Sequence, residues 1–347
     1  MSLKYPKNTT ARTAWLGFTA NVASRLARFL LSCGTAGGIR DWSAASSFIR
    51  RTLKRMVQAK HIAAVLIAAG LAGAGAGEAA TVLEPPSPVQ RVAMNAHGRA
   101  YLFRGLIGAI DWGMDELAGR INRAGVVANI DSHLTWRTAA DQAISDYHRD
   151  PAPIAVIGHS IGGDSAVQFA EHLNAAHVPV SLLVTYDPTR MADKVPSNVE
   201  RYVNLYQSSN ILGGGDLGPG RGFHGHYASF NLKDRPEIIH INLDKFGHIQ
   251  EQVAAKIRTL AAIPVHGEGE AVPLHILFPA TGSIELWDSG MPVSAQAGDT
   301  LQALAATYHV PLWALTQINQ KSEHAALTEG ERIIVPRYLI PKGSPSR

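Results

Sequence analysis

A strand-like run that passes directly into a glycine-rich turn constrains the fold of this chain more than any other feature. Residues 154–163 read Ile-Ala-Val-Ile-Gly-His-Ser-Ile-Gly-Gly, and residues 164–173 follow at helical spacing. Gly-x-Ser-x-Gly in this context is typical of a sharp strand-to-helix turn, where neighbouring backbone crowds Gly158 and Gly162. We therefore predict that Ser160 stands at the top of a sheet, where a base can reach its hydroxyl. A tight turn that needs glycine for packing alone is the alternative.

The positive charge of the chain is concentrated in residues 1–55. These residues include ten Lys or Arg and one acid, which gives them a net charge of +9. Since the whole chain carries +4, the remaining residues carry a net charge of −5. The basic balance is therefore no indication of nucleic-acid binding, and no nucleic-acid partner is expected. The only cysteine, Cys33, lies in the same leader, so we expect neither a disulfide nor thiol chemistry in the folded part.

An unbroken run of small and apolar residues covers 62–76, with basic residues before it and mostly small residues after it. This layout is typical of a secretory signal. The run is shorter than a membrane-spanning helix, which needs about 20 residues. Because Met56 lies just ahead of the run, as the first residue of an ordinary signal peptide would, we favour a start codon assigned too early for residues 1–55. The alternative is a basic amphipathic helix at 15–31 on a membrane. We expect residues 1–80 to be a leader with a signal peptide or anchor, and the protein to be exported to the periplasm or cell envelope.

Strand-like and helical runs alternate through residues 86–263, which predicts a mostly parallel sheet covered by helices on both faces. In such sheets the functional site gathers at the carboxyl ends of the strands. The glycine-rich stretch at about 207–230 is expected to be a flexible cover or a surface loop. Strands are predicted at 100–103, 126–130, 154–157, 180–186, 202–206 and 238–243.

Two acids follow predicted strands and are candidates to orient a catalytic base. Asp187 comes directly after the strand at 180–186, although Asp-Pro is also a common turn opener. Asp216, in the glycine-rich stretch after the next strand, is the rival. We favour Asp187 because it stands, like Ser160, at the carboxyl end of a strand.

For the base itself we favour His248, which lies between the last predicted strand and the last helix. A loop histidine in that position can reach back over the sheet edge. His224, His226 and His240 are rivals, and His240 is expected to be structural because it lies in the middle of a predicted strand. A metal site at the His224-x-His226 pair is not favoured, since no third ligand stands at a familiar spacing.

The order Ser160, Asp187, His248 resembles that of the α/β-hydrolase superfamily, and residues of about 95–262 resemble a compact, lipase-like member. The resemblance implies a doubly wound α/β sheet and cleavage of esters or thioesters through an acyl-enzyme, without a cofactor. It also implies that Asp187 holds the imidazole of the base. The backbone N–H groups of Ile161 and Leu106 would form the oxyanion hole.

The C-terminal part divides into a linker at 264–291, with one hairpin at most, and a small module at 292–338. The module reads as strand, helix, helix, strand, with Asp299 or Thr300 as the cap of the first helix. Over this length it resembles the LysM module. That resemblance implies a βααβ fold that binds glycans containing N-acetylglucosamine, such as peptidoglycan or chitin, or else a fold used for packing alone. The implied glycan-binding residues are Gly298, Asp299, Thr300, Leu301 and Leu327.

Together these features predict an exported serine ester hydrolase that a LysM module tethers to cell-wall glycan. Its expected partners are an acyl ester substrate and the glycan, with membrane contact through the leader as a further option. One alternative is a non-catalytic wall-binding protein with a degenerate hydrolase domain. The other is an esterase that acts on peptidoglycan itself.

Overall fold

The computed structural model describes residues 97–106, 112–262 and 268–341. The predicted leader, with Cys33, Met56 and the apolar run, lies outside the described residues. Among the described residues, no helix is both long and apolar enough to cross a membrane.

Seven strands of the described residues form one sheet in the order β2-β1-β3-β4-β5-β6-β7, and every neighbouring pair is parallel. The chain first adds β2 on one side of β1 and then adds β3 on the other side. The order therefore reverses at β1, and a crevice opens at the carboxyl ends of β1 and β3. The strands are β1 Arg99–Arg104, β2 Val127–Ser132, β3 Ile154–His159, β4 Leu182–Tyr186, β5 Arg201–Tyr206, β6 His226–Asn231 and β7 Leu274–Leu277.

Helices cover both faces of this sheet, as the alternating apolar pattern predicts. Side chains on one face of the sheet, such as Leu102 and Ile157, pack against α1 and α4. Side chains on the other face, such as Phe103 and Val156, pack against α2 and α3. The expected doubly wound α/β fold is thereby confirmed. The helices are α1 Trp112–Arg123, α2 Trp136–Arg149, α3 Ile161–Ala175 and α4 Gly247–Ala262, and a short 3₁₀ turn covers Leu243–Lys245.

Two parts of the sheet differ from the sequence prediction. The expected strand at 238–243 is a turn that leads into the 3₁₀ turn, with Ile239 and Ile241 exposed rather than buried. The sixth strand is instead β6, inside the stretch expected to be a flexible loop. Tyr227 and Phe230 of β6 are fully buried on opposite faces, so packing on both sides outweighs the surrounding glycines.

The segment expected to be a linker also enters the sheet. Within residues 264–291, β7 pairs with β6 along its whole length, and β8 then begins at Trp287. In the described part of this segment, β7 pairs with the main sheet, and Val272 and Gly290 form an isolated antiparallel bridge.

The C-terminal module has the predicted order of strand, two helices and strand. Its elements are β8 Trp287–Ser294, α5 Leu301–Thr307, α6 Leu312–Asn319 and β9 Arg332–Tyr338, and the two strands pair antiparallel. Thr300 caps α5, because its hydroxyl accepts a hydrogen bond from the Ala303 backbone N–H. Leu301, Leu315 and Ile333 lie at the centre of a small core of its own.

Aromatic packing and one amide side chain join this module to the main sheet. The rings of Trp287, Phe278 and Trp313 pack in a triangle, with centroid distances from Trp287 of 6.2 Å to Phe278 and 5.8 Å to Trp313. Gln317 of α6 donates to the Leu277 carbonyl and accepts from the Leu277 N–H. This pair of bonds occupies backbone groups of β7 at the edge of the sheet, which would otherwise be open to another strand.

We predict that Trp287→Ala lowers the free energy of unfolding by about 3–5 kcal/mol, because it removes the largest ring at the junction. Trp287→Phe is the matched control. It keeps a ring, and it removes an indole N–H that meets no acceptor among the described residues. We expect it to cost less than about 1.5 kcal/mol. Urea unfolding followed by circular dichroism checks both, and equal losses would contradict a packing role.

Candidate active site

Ser160 stands at the turn between β3 and α3, in a backbone conformation that few residues adopt. Its φ is 57° and its ψ is −131°, so the turn is strained in a way that only surrounding structure sustains. The Ser160 N–H donates to the Tyr186 carbonyl at 2.9 Å, and the Ser160 carbonyl accepts from the Gly163 N–H at 2.8 Å. These bonds hold the hydroxyl above the sheet, as predicted from the motif.

The glycines of the motif are required by space. A Cβ on Gly158 would lie 2.1 Å from the Gly162 carbonyl oxygen, and a Cβ on Gly162 would lie 2.3 Å from the Phe103 carbonyl oxygen. Both obstacles are backbone atoms that cannot rotate away. The first turn of α3 therefore packs directly on the end of β1, which brings the loop after β1 next to Ser160.

A chain of two hydrogen bonds links Ser160, His240 and Asp187. The His240 Nε2 lies 2.8 Å from the Ser160 Oγ, and the His240 Nδ1 lies 2.7 Å from the Asp187 Oδ2. The His240 side chain is 12% exposed, so most of the imidazole is shielded from solvent. This arrangement can move a proton from the serine hydroxyl to the imidazole and stabilise the resulting cation.

The Asp187 carboxylate is fully buried and accepts from several donors besides His240. The Gly214 N–H lies 2.7 Å and the Gln207 N–H 3.1 Å from Oδ1, while the Asn210 amide donates to Oδ2. Two of these donors are backbone groups, so the main chain holds Oδ1, while the side chains of Asn210 and His240 hold Oδ2.

The turn that carries His240 is tied to its surroundings at several points. The His159 Nε2–H donates to the His240 carbonyl at 2.7 Å, and the Gln207 amide donates to the Ile238 carbonyl. The Arg235 guanidinium donates to the carbonyls of Pro279 and Gly282, which follow β7. The position of the imidazole thus depends on the nucleophile turn and on the segment that leads to the C-terminal module.

The prediction that His248 is the base is wrong, because His240 is the histidine that contacts both Ser160 and Asp187. His248 lies in the first turn of α4 with a half-exposed side chain, and its ring contacts Ser283 at 3.3 Å and Glu285 at 3.7 Å. The helix begins at Gly247, whereas the turn that precedes it carries His240, the histidine that contacts Ser160.

The other rival residues lie elsewhere. Asp216 accepts from the Ser229 hydroxyl at 2.6 Å and pairs with His275. His224 lines a cavity of about 340 Å³ at the opposite end of β5 and β6. Asp187, not Asp216, is the acid that contacts a histidine bonded to Ser160.

Sequence reasoning missed His240 because isoleucines surround it, which is typical of a buried strand. A signal was present in the preceding residues, since Asp234-Arg235-Pro236 favours a turn at that point. The Asn242 side chain then accepts from the Ile239 N–H and donates to the Glu237 carbonyl. These local bonds compete with strand formation.

The proposed oxyanion donors lie on adjoining elements. Ile161 opens α3, and the first N–H groups of a helix have no partner within it. Leu106 follows β1, whose carbonyls pack against Gly162. Ile161 and Leu106 therefore stay predictions as oxyanion donors.

A second cluster of charged side chains lies at the opposite, amino-terminal edge of the sheet. His226 contacts Glu268 through Nε2 at 3.0 Å and Asp288 through Nδ1 at 3.2 Å. These three side chains are near enough to hold a metal ion, but Arg201 and Lys256 already pair with the same carboxylates. Burial raises the pKa of Asp288, yet the His226 hydrogen bond and the Lys256 charge hold it below its ordinary value. The cluster is best described as an ion network that ties β5, β6 and α4 to β8.

The fold and the site together define the type of the larger domain. A parallel sheet carries a serine on a strand-to-helix turn after β3, an acid after β4 and a histidine after β6. This arrangement is the α/β-hydrolase type of fold.

The comparisons with known proteins agree with the two-part organisation. The model of the LysM domain matches residues 294–336. Those residues are a LysM domain. No curated protein sequence matches the chain.

Two solved structures share weak similarity with the larger domain. One is described as a candidate hydrolase of the alpha/beta superfamily from Xanthomonas campestris pv. campestris, with a TM-score of 0.26 and 16% identity, covering 33% of this chain and 74% of that one. The other is the RedJ thioesterase of the prodiginine biosynthetic pathway in Streptomyces coelicolor, with a TM-score of 0.20 and 19% identity. It covers 33% of this chain, which spans about half (48%) of the thioesterase. Similarities this low carry no argument about function.

In the LysM domain, the predicted glycan-binding residues fall into two groups. Leu301 is fully buried and Leu327 is 8% exposed, so both side chains belong to the domain core. Gly298, Asp299 and Thr300 lie in the loop before α5, and Thr300 forms a backbone bridge with Ala326 of the loop before β9. The side chains of Leu301 and Leu327 therefore do not contact a ligand directly, because they pack in the domain core.

We predict that Gly162→Ala destabilises the protein by about 3 kcal/mol, because the new methyl group meets backbone carbonyls of β1. Gly218→Ala is the matched control, since no heavy atom of the described residues lies within 4 Å of its Cβ. We expect a change within about 1 kcal/mol for the control. Chemical denaturation measures both, and an unchanged midpoint for Gly162→Ala would contradict the described contact of α3 with β1.

Proposed function

We propose that this protein is a serine hydrolase that cleaves ester or thioester bonds through an acyl-enzyme. The observation that carries the proposal is the unbroken line of hydrogen bonds from Ser160 through His240 to Asp187. A degenerate hydrolase domain, the non-catalytic alternative, has no need to keep a serine strained, an acid buried and a histidine between them.

In the proposed reaction, the Ser160 hydroxyl donates to His240 Nε2 and passes its proton there as the oxygen attacks the acyl carbon. The His240 Nδ1–H donates to Asp187, which keeps the ring in the tautomer that leaves Nε2 free to accept. The same Nε2–H then returns its proton to the leaving group. Water repeats the cycle to release the acid. The backbone N–H groups of Ile161 and Leu106 are the proposed donors to the oxyanion.

The LysM domain is proposed to bind glycan that contains N-acetylglucosamine, as in peptidoglycan. Binding there raises the local concentration of the hydrolase at the wall without any new catalytic contact. With this role, the protein is proposed to act in the cell envelope, and the predicted export of the chain is part of the same proposal. The firm packing of the domain on β7 favours a second candidate function, an esterase that acts on wall material itself, because it holds the catalytic domain close to bound glycan.

We expect Ser160→Ala and His240→Ala each to lower ester turnover by at least about a thousandfold, because each removes a member of the proton relay. His248→Ala is the matched control and should stay within about threefold of the parent. Labelling with a fluorophosphonate probe and hydrolysis of a short-chain nitrophenyl ester measure these effects. Folded parent protein that neither labels nor hydrolyses would exclude the catalytic reading.

We expect Ala326→Trp to weaken binding to insoluble peptidoglycan by about tenfold or more, because the indole would fill the space between the loops before α5 and β9. Ala306→Trp places the same bulk on the exposed side of α5 and should bind like the parent. Co-sedimentation with purified peptidoglycan separates the two. Equal binding by both variants would argue that the LysM domain serves only to pack against the hydrolase.

A further inference from the structure

The carboxylate of Asp244 is completely buried, although it takes no part in the proposed reaction. Asp244 lies in the 3₁₀ turn Leu243–Lys245, four residues after His240, and none of its surface reaches solvent. A buried carboxylate is costly unless the groups around it stabilise it. The surroundings of Asp244 therefore indicate what the residue does.

The Asp244 carboxylate lies against the start of α1. A Cβ on Gly113, the second residue of that helix, would lie 2.3 Å from the Asp244 Oδ2. The first backbone N–H groups of a helix have no partner within the helix, and the helix dipole places partial positive charge there. The start of α1 therefore suits a carboxylate, and the glycine at position 113 leaves the room that Asp244 occupies.

A neighbouring glutamine joins the backbones of the same two elements. The Gln250 Nε2 donates to the Gly113 carbonyl at 2.9 Å and to the Asp244 carbonyl at 2.7 Å. The Gln250 side chain is fully buried, and its Oε1 accepts from the Arg120 guanidinium of α1. The 3₁₀ turn is thus attached to α1 through backbone carbonyls as well as through the acid.

Asp244 also lies close to the end of β4. Burial, and then the negative charge of Asp244, raise the pKa of the Tyr186 phenol. Tyr186 is the last residue of β4, its carbonyl accepts from the Ser160 N–H, and Asp187 follows it directly. The buried acid is therefore near the strand end that supports both the serine and the acid of the hydrogen-bonded line.

We propose that Asp244 is a positioning residue of the active site, whose carboxylate anchors the turn that carries His240 to the start of α1. This role rests on the proposed function, because it keeps the His240 Nε2 within hydrogen-bond distance of the Ser160 Oγ. His240 lies between β6 and the 3₁₀ turn, so contacts with neighbouring elements fix its place. A displacement of about 1 Å in such a group lowers the rate by about a hundredfold.

Asp244→Asn tests the charge with little change in shape. We expect its kcat for a short soluble ester to fall about tenfold or more while its KM stays within about threefold, because the substrate still binds while the His240 contact with Ser160 loosens. Asp288→Asn is the matched control. Asp288 is nearly as buried, at 1% exposure, but lies in the ion network at the opposite edge of the sheet. It should lose stability and keep its kcat.

Both variants are assayed at a temperature at which circular dichroism shows them to be folded. An unchanged kcat in Asp244→Asn would overturn the positioning role. Equal losses of kcat in the two variants would do so as well, because they would mean that any buried acid of this chain affects turnover through stability alone.

A second pair of variants approaches the same contact from α1, and serves if Asp244→Asn does not fold. Gly113→Ala places a methyl group where the Asp244 side chain and carbonyl lie, whereas a Cβ on Gly119 of the same helix meets only the end of the Arg123 side chain, at 3.3 Å. We expect Gly113→Ala to lower kcat about tenfold or more with KM retained, and Gly119→Ala to keep both. Equal kcat values for the two would contradict the proposal.

Proton NMR separates a failure of the positioning role from a failure of the proposed function. The His240 Nδ1–H donates to a carboxylate over a short distance, so its signal should lie far downfield and be missing from His240→Ala. We expect Asp244→Asn to broaden or remove this signal and Asp288→Asn to retain it. That result in a protein that hydrolyses no ester would keep the positioning role and reject the proposed function. A signal unchanged by Asp244→Asn would overturn the positioning role even in an active enzyme.

Discussion

The close passage of α3 over the end of β1 is the constraint on which the rest of the site depends. Gly158 and Gly162 leave no room for a Cβ, because carbonyl oxygens of the turn and of β1 occupy that space. The same contact forces Ser160 into its rare backbone conformation and raises its hydroxyl above the sheet. It also brings the loop after β1 beside the serine. The sheet topology also contributes, since the reversal of strand order at β1 opens the crevice in which Ser160 and the loop after β1 meet.

The acid and the histidine are then held by contacts that come from distant parts of the chain. Backbone N–H groups after β5 fix the Asp187 carboxylate, and the His159 side chain fixes the carbonyl of His240. The line of hydrogen bonds from Ser160 to Asp187 is thus held largely by main-chain donors and acceptors.

The LysM domain is a structural part of the molecule as well as a separate module. Gln317 occupies backbone groups of the last strand of the main sheet, and the Trp287 ring packs against Phe278, which follows that strand, and against Trp313 of α6. Arg235, in the loop that carries His240, binds carbonyls of the segment between β7 and β8. The LysM domain and the larger domain share these contacts and so move together, unlike two domains joined by a flexible linker.

Most of the architecture could be predicted because its signals are local. The glycine spacing around Ser160, the alternating strands and helices and the βααβ pattern each lie within a short stretch of residues. What failed was the assignment of stretches whose structure depends on distant neighbours. Tyr227 and Phe230 form a strand because layers on both faces bury them, and Ile239 and Ile241 do not because no layer covers them.

The sequence by itself therefore determined the serine on its turn, the doubly wound sheet and the LysM domain. Only the tertiary structure decided that His240, eighty residues after Ser160, is the histidine that contacts it, while His248 faces away. The physical reason is that a hydrogen bond between distant residues depends on where a turn ends relative to the sheet edge. Residue type and order do not encode that distance in any local pattern.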